Sequence, residues 1–273
     1  MRVLLTTGGQ GQSEIAIRQL MLLAETVSIE PTVLTVVKRA EDKAEGEKIL
    51  AHAATMLDPE FSSVGYKIRV GQPWEEIVHE SEAGHFDLIV MGQRHSRPLL
   101  ARLRGMVTQK VVAHAGLPVL IAKREARPFN RILICDSGVQ SPTLLDLFRS
   151  HLPEVLAGAT EITVLHVMSQ ISAAPGINGE DLYLTAEQLI ASGTPEGVFL
   201  ENNLAYLERI GLKLQAKVRH GLVLDEIVKE ARSDDYDLVA IGVRRDEKLP
   251  RFLLNDLARE LVLDVNRAIL VVR

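Results

Sequence analysis

Gly71-Gln-Pro-Trp-Glu-Glu-Ile-Val78, running on to Phe86-Asp-Leu-Ile-Val-Met-Gly92, recurs without a gap as residues 221–242. Eight positions are identical between the two segments: Gly71, Glu76, Ile77, Val78, Glu80, Asp87, Leu88 and Gly92. The same offset of 150 carries Pro118-Val-Leu-Ile-Ala-Lys123 onto Ala268-Ile-Leu-Val-Val-Arg273. Upstream the offset is 129, where Arg2-Val-Leu-Leu meets Arg131-Ile-Leu-Ile, so the second copy carries about 21 extra residues. They fall mostly within 169–197, a stretch containing Ala173-Ala-Pro-Gly-Ile-Asn-Gly179. Agreement in order, spacing and identity marks an internal duplication. The expected domains are 1–124 and 130–273, joined by the short polar linker Lys123-Arg-Glu-Ala-Arg-Pro-Phe-Asn130.

Each copy alternates short aliphatic runs with helical periods. Strands are expected near 2–7, 31–37, 66–70, 87–92 and 118–122, where β-branched and aliphatic residues cluster. Between them Ala16, Leu20, Leu23, Ala24 and Val27 share one helical face, and Leu50, Ala53, Ala54 and Leu57 another. Pro73 suits the first turn of a third helix bearing Trp74, Ile77 and Val78, and a fourth is expected from near Gly105 through Val111, Val112 and Ala115. Gly211 is placed to end the helix of Leu200, Leu204 and Leu207. The fold class that follows is α/β: two tandem Rossmann-like domains, each a five-stranded parallel sheet with helices on both faces. Ligands of such sheets lie beyond the carboxyl ends of the strands.

Composition sets outer limits. Of 273 residues 47% are apolar but only 4% aromatic, so Val, Leu, Ile and Ala do the packing, as parallel sheets between helices require. The net charge of −5 argues against a general nucleic-acid or membrane-surface binder. One cysteine, Cys135, permits no intrachain disulfide or Cys-based zinc site. There is neither a leader-like segment nor an apolar run of membrane length, so the expectation is a cytoplasmic protein with no membrane and no nucleic-acid partner.

The loops after the first and fourth strands are the places for chemistry. After the first strand stand Thr6-Thr-Gly-Gly-Gln-Gly-Gln-Ser13 in copy one and Cys135-Asp-Ser-Gly-Val-Gln-Ser141 in copy two. Small residues before a helix can present N–H groups to an anion, or simply make the turn. After the fourth strand copy one reads Met91-Gly-Gln-Arg-His-Ser, with Gly105-Met-Val-Thr108 following and Pro118-Val-Leu-Ile121 closing the domain. Arg94, Arg97, Arg102 and Arg104 crowd this loop, and Arg244, Arg245, Lys248 and Arg251 crowd its counterpart. Arginine side chains can grip a phosphate, or can be solvated loop charges.

These motifs resemble the universal stress proteins over nearly the whole chain, apart from the 169–197 insertion. Nucleotide-binding members of that family carry Gly, two residues, Gly, nine residues, then Gly with Ser or Thr. Here Gly92 and Gly105 hold the outer positions, while His95 replaces the middle glycine and Met106 the hydroxyl residue. In copy two Gly242 is kept, Arg245 takes the middle place, and Asn255-Asp256 stand at the last. Asp256 would set a negative charge near a triphosphate. The family ends its first strand with an acidic residue, kept as Asp136 in copy two and replaced by Thr7 in copy one.

The resemblance implies that a nucleotide would meet Thr7, Gly8, Val36, Gly92, His95, Gly105 and Thr108 in copy one. In copy two it implies Asp136, Ser137, Val167, Gly242 and Arg245. It implies a cytoplasmic, non-catalytic stress-response protein with a degenerate site for ATP or another adenine nucleotide, and an intramolecular pseudo-dimer able to form a homodimer. A second expectation is a different small anionic ligand in one domain, with the insertion as lid or wall. An enzyme of the ATP-pyrophosphatase type ranks last, because the Thr7–Ser13 loop lacks the Asp of that chemistry. No catalytic triad, carboxylate pair or metal-ligand spacing is visible. Cys135, His166 and Trp74 read as structural, and His95 as loop surface.

Overall fold

The computed structural model describes residues 1–9, 11–93, 106–136, 143–168, 183–209, 211–233, 235–242 and 251–272. Two compact units result: Met1–Pro128 together with Val243–Arg273, and Phe129–Gly242. The terminal segment of the second repeat therefore belongs, by its contacts, to the first unit.

In the first unit the strands are β1 (Arg2–Thr6), β2 (Glu30–Val37), β3 (Gly65–Val70), β4 (Leu88–Gln93), β5 (Val119–Lys123) and β10 (Ala268–Val272). Their order is β3-β2-β1-β4-β5-β10. The first five run parallel. β1, β4 and β5 are aliphatic runs, as central strands covered on both faces require, whereas edge strand β3 carries Lys67 and Arg69 among half-exposed residues. β10 is antiparallel to β5, with Ile269 opposite Ile121 and Leu270 opposite Leu120. Helices α1 (Gln12–Ala24), α2 (Lys43–Leu57), α3 (Pro73–Ala83) and α4 (Met106–His114) join the strands, and α10 (Arg251–Asp264) precedes β10. Ala16, Leu20, Ala53 and Leu57, from the predicted apolar faces, are almost wholly buried, as are Val111 and Val112.

The second unit holds β6 (Arg131–Cys135), β7 (Glu161–Met168), β8 (Lys213–His220) and β9 (Leu238–Gly242) in the parallel order β9-β6-β7-β8. Its helices are α5 (Leu144–His151), α6 (Pro153–Ala157), α7 (Ala186–Ser192), α8 (Pro195–Arg209) and α9 (Val223–Ser233). The insertion thus contributes α7, opened by a capping box in which Thr185 and Gln188 satisfy each other's main-chain N–H.

The identical residues of the repeat perform the same structural task in each unit. Asp87 accepts a hydrogen bond from the Arg2 N–H at 2.7 Å, and Asp237 from the Arg131 N–H at 2.9 Å. Glu80 is almost fully buried and takes Lys67 Nζ at 2.5 Å and Arg69 Nη1 at 2.8 Å. Glu230, likewise buried, takes Lys217 Nζ at 2.8 Å and Arg219 Nε at 2.6 Å. Glu76 and Glu226 complete the networks on Arg69 and Arg219. A Cβ on Gly71 would lie 2.7 Å from Glu76 Oε1, so glycine admits the carboxylate there. Burial by itself raises the Glu80 and Glu230 carboxyls, but the bonds from Lys and Arg overcome it and hold both below the usual range.

Candidate functional site

Parallel pairing brings the predicted residues to the carboxyl ends of adjacent strands. In the first unit Thr6 is level with Leu34, and Leu5 with Val90, so Thr7 and Gly8 emerge between Val36 on β2 and Gly92 on β4. In the second unit Cys135 is level with Leu165 and Ile241, which sets Asp136 between Val167 and Gly242. Thr7 N–H donates to Leu34 O at 2.9 Å, and Asp136 N–H to Leu165 O at 3.1 Å, making the two positions structural equivalents. Thr108, on α4, is buried. His95, Gly105, Ser137 and Arg245 lie outside the described residues, as do Arg94, Arg97, Arg102, Arg104, Arg244 and Lys248.

Among the described residues of the two first-strand loops, three N–H groups that could face an anion are bonded within the chain. Gly8 N–H donates to Ser13 Oγ at 3.1 Å, and Gly9 N–H to Thr7 Oγ1 at 3.3 Å. Ser13 is buried on the first turn of α1 and serves the loop rather than facing outward. In the second unit Asp136 Oδ2 accepts from Leu144 N–H at 2.5 Å, a carboxylate on the first turn of α5. A helix N-terminus favours one negative charge, and here the protein supplies it.

Gly92 has a second explanation. An added Cβ would lie 1.8 Å from the carbonyl oxygen of Gln12, so the main chain of α1 fills the space where a side chain would be. Gly242 meets nothing nearer than Leu144 Cδ1 at 3.6 Å, an ordinary contact. Beside Gly92, Gln93 Oε1 is buried with no hydrogen-bond partner. The glycines shared by the copies are thus unlike in need: the first is fixed by packing, the second is not.

The other titratable groups of interest are structural. Burial pushes the Cys135 thiol well up, with Glu230 and Asp136 adding to the effect, which removes it as a nucleophile at neutral pH. His166 is held below its ordinary value mainly by burial, and its Nδ1 donates to Asp136 O at 3.3 Å. Trp74 is half-buried, with its ring 4.8 Å from that of His114 and Lys110 Nζ 5.0 Å from its centre. Among the described residues no cluster of His, Cys, Asp or Glu could hold a metal ion, and no helix is long and apolar enough to cross a membrane.

Two features escaped the sequence reading. Lys67 and Arg69 recur as Lys217 and Arg219, four and two residues upstream of the matched segment, and extending the same offset would have found them. Lys123, read as linker, is instead buried: its Nζ donates to Val262 O at 2.5 Å and Val265 O at 2.6 Å, at the end of α10. Burial brings this amine down to about 7, with Asp264 opposing.

The family model described as the universal stress protein family matches residues 1–123 and again 128–273. A universal stress protein of Methanocaldococcus jannaschii is 39% identical over 73 residues, 25% of this chain and 45% of that protein. A stress response protein of Bacillus subtilis is 30% identical over 102 residues, 37% of this chain and 57% of that protein. The chain thus spans about half the length of the curated relatives it matches. The crystal structure of a universal stress protein from Archaeoglobus fulgidus superimposes with a TM-score of 0.73 at 17% identity, covering 100% of this chain and 96% of that one. At that identity the likeness is one of fold.

Proposed function

The chain belongs to the universal stress protein family, carrying two family domains in tandem, and from this premise we propose a non-catalytic stress-response protein of the cytoplasm whose nucleotide loops have lost their phosphate cradles. The observation that carries the reading is the self-capping of both first-strand loops, by Ser13 on Gly8 N–H and by Asp136 on Leu144 N–H. A phosphate at these loops would have to displace the buried Ser13 hydroxyl from Gly8 N–H in one copy and the Asp136 carboxylate from Leu144 N–H in the other, and both steps cost binding free energy. Gly8 N–H and Leu144 N–H are therefore not open to a phosphate as they stand. An adenine nucleotide, if taken up, would be met by Val36, Thr7 and Thr108 in copy one and by Val167 and Asp136 in copy two. Gly92 is committed to packing. Gly8, His95, Gly105, Ser137, Gly242 and Arg245 complete the set that the family resemblance assigns.

The antiparallel pairing of β10 on β5 supports an intramolecular pseudo-dimer, since these are the last strands of the two repeats. Chromatography of the nucleotides released when the purified protein is denatured tests the proposal. Less than about 0.1 adenine nucleotide per chain is expected, a level set by a dissociation constant well above the micromolar concentrations of a purified sample. Near-stoichiometric release would overturn it.

A further inference from the structure

The second unit has a groove with one wall formed by a segment that the first repeat does not contain. It has a volume of about 410 Å³, within the ~300–1,000 Å³ span of small-molecule sites. One wall is the segment of the insertion from Tyr183 to Glu187, and the other is strand β8. The wall is tied down by His220, whose Nε2 lies 3.0 Å from Leu184 O and must donate to it. Position 220 corresponds to Val70 in copy one, where the insertion is also missing. The histidine and the segment it anchors therefore occur together, in one repeat only.

The chemistry of the groove selects its occupant. Tyr183 packs against His220 with ring centres 5.9 Å apart, yet the residue is 71% exposed. An aromatic face held in place and left open is a surface for another ring. Among the described residues β8 is the edge strand of its sheet. Lys213 N–H and Gly221 N–H donate to Thr160 O and Met168 O, so by alternation Ala216 and Val218 turn both N–H and C=O away from β7, toward the groove. That edge pairs best with a group offering an adjacent donor and acceptor. The charges cancel: Arg219 is bound to Glu230 and Glu226, and Lys217 to Glu230. Glu187, bonded to its own N–H and to Thr185, is held below the usual carboxylate range and faces solvent as an anion.

We propose that this groove, between Tyr183 and the free edge of β8, binds a neutral planar ring carrying an amide edge. It is independent of the nucleotide loops and holds whether or not they bind ATP. The test is a titration of the ¹⁵N-labelled full chain with benzamide, followed by amide NMR. Saturable shifts at Ala216 and Val218 are expected, with a dissociation constant of about 1–10 mM for a fragment of this size. Tyr183→Ala should weaken binding roughly fivefold, as should His220→Val, which restores the copy-one residue and frees the wall. Benzoate and cyclohexanecarboxamide, lacking neutrality and planarity in turn, should bind at least about fivefold more weakly. The proposal is overturned if benzamide gives no saturable shift, if either control matches it, or if both variants bind it as the parent chain does. Tyr183 is largely exposed, so its truncation leaves the core intact and the comparison interpretable.

Discussion

Replacing Gly92 by alanine separates packing from phosphate binding as the reason for this glycine. The new Cβ would lie 1.8 Å from Gln12 O and 2.6 Å from Gln12 C. A carbon and a carbonyl oxygen approach no closer than ~3.3 Å, so α1 would have to retreat by about 1.5 Å. That helix carries Ala16, Ile17 and Leu20, all buried, and cannot retreat without opening the core beneath it. Overpacking against main chain costs about 2–4 kcal/mol, a drop in Tm of roughly 5–15 °C. Gly242→Ala is the internal control, because its Cβ meets only Leu144 Cδ1 at 3.6 Å. Relief of the strand-glycine penalty leaves that variant within ~1 kcal/mol of the parent. Urea unfolding followed by circular dichroism gives the totals, and amide exchange at Leu4, Leu5 and Ile89 assigns the loss to the first unit. If Gly92→Ala is as stable as the parent, or Gly242→Ala as damaging as Gly92→Ala, the packing argument is wrong.

Three further outcomes follow from the buried groups. Glu80 and Glu230 have depressed pKa values in the folded state, so their stabilisation is complete above the unfolded carboxylate value of ~4.3 and disappears as pH falls through the folded one. Acid unfolding of Glu80→Gln/Glu230→Gln should accordingly show a shallower pH dependence below that value than the parent. Lys123 behaves oppositely in range: with its amine at about 7 folded and 10.5 unfolded, the unfolded chain binds more protons between these values, and stability rises with pH across that window. Lys123→Met should abolish the rise, measured by urea midpoints at pH 7 and pH 9.5. Asp136→Ala removes the carboxylate from Leu144 N–H and should cost about 1 kcal/mol, visible as faster amide exchange in the first turn of α5.

Much of the architecture was readable because parallel strands and their helices carry continuous apolar patterns. The strands expected near 2–7, 31–37, 66–70, 87–92 and 118–122 emerge within a few residues as β1 to β5. The duplication was readable because Gly71, Glu76, Glu80 and Asp87 answer to local geometry that both copies share. Those same identities belong to the scaffold, so they indicate the fold and say little of a ligand. What sequence could not supply was the use made of each group. Ser13 and Asp136 cap loops through hydrogen bonds that depend on the path of the backbone, which no spacing reveals. Gly92 is a phosphate glycine by motif and a packing glycine by geometry, since Gln12 lies 80 residues away in the chain. Lys123 needed α10 from the far end of the sequence to become a buried cap.

The central claim is that neither repeat holds a preformed phosphate cradle. Equilibrium dialysis of the full chain against ATP, ADP, AMP and cyclic AMP at about 10 µM measures this directly, a concentration at which micromolar sites fill. The account predicts less than ~0.1 equivalent bound for each nucleotide. One equivalent or more of ATP per chain, retained tightly by either half, would contradict it.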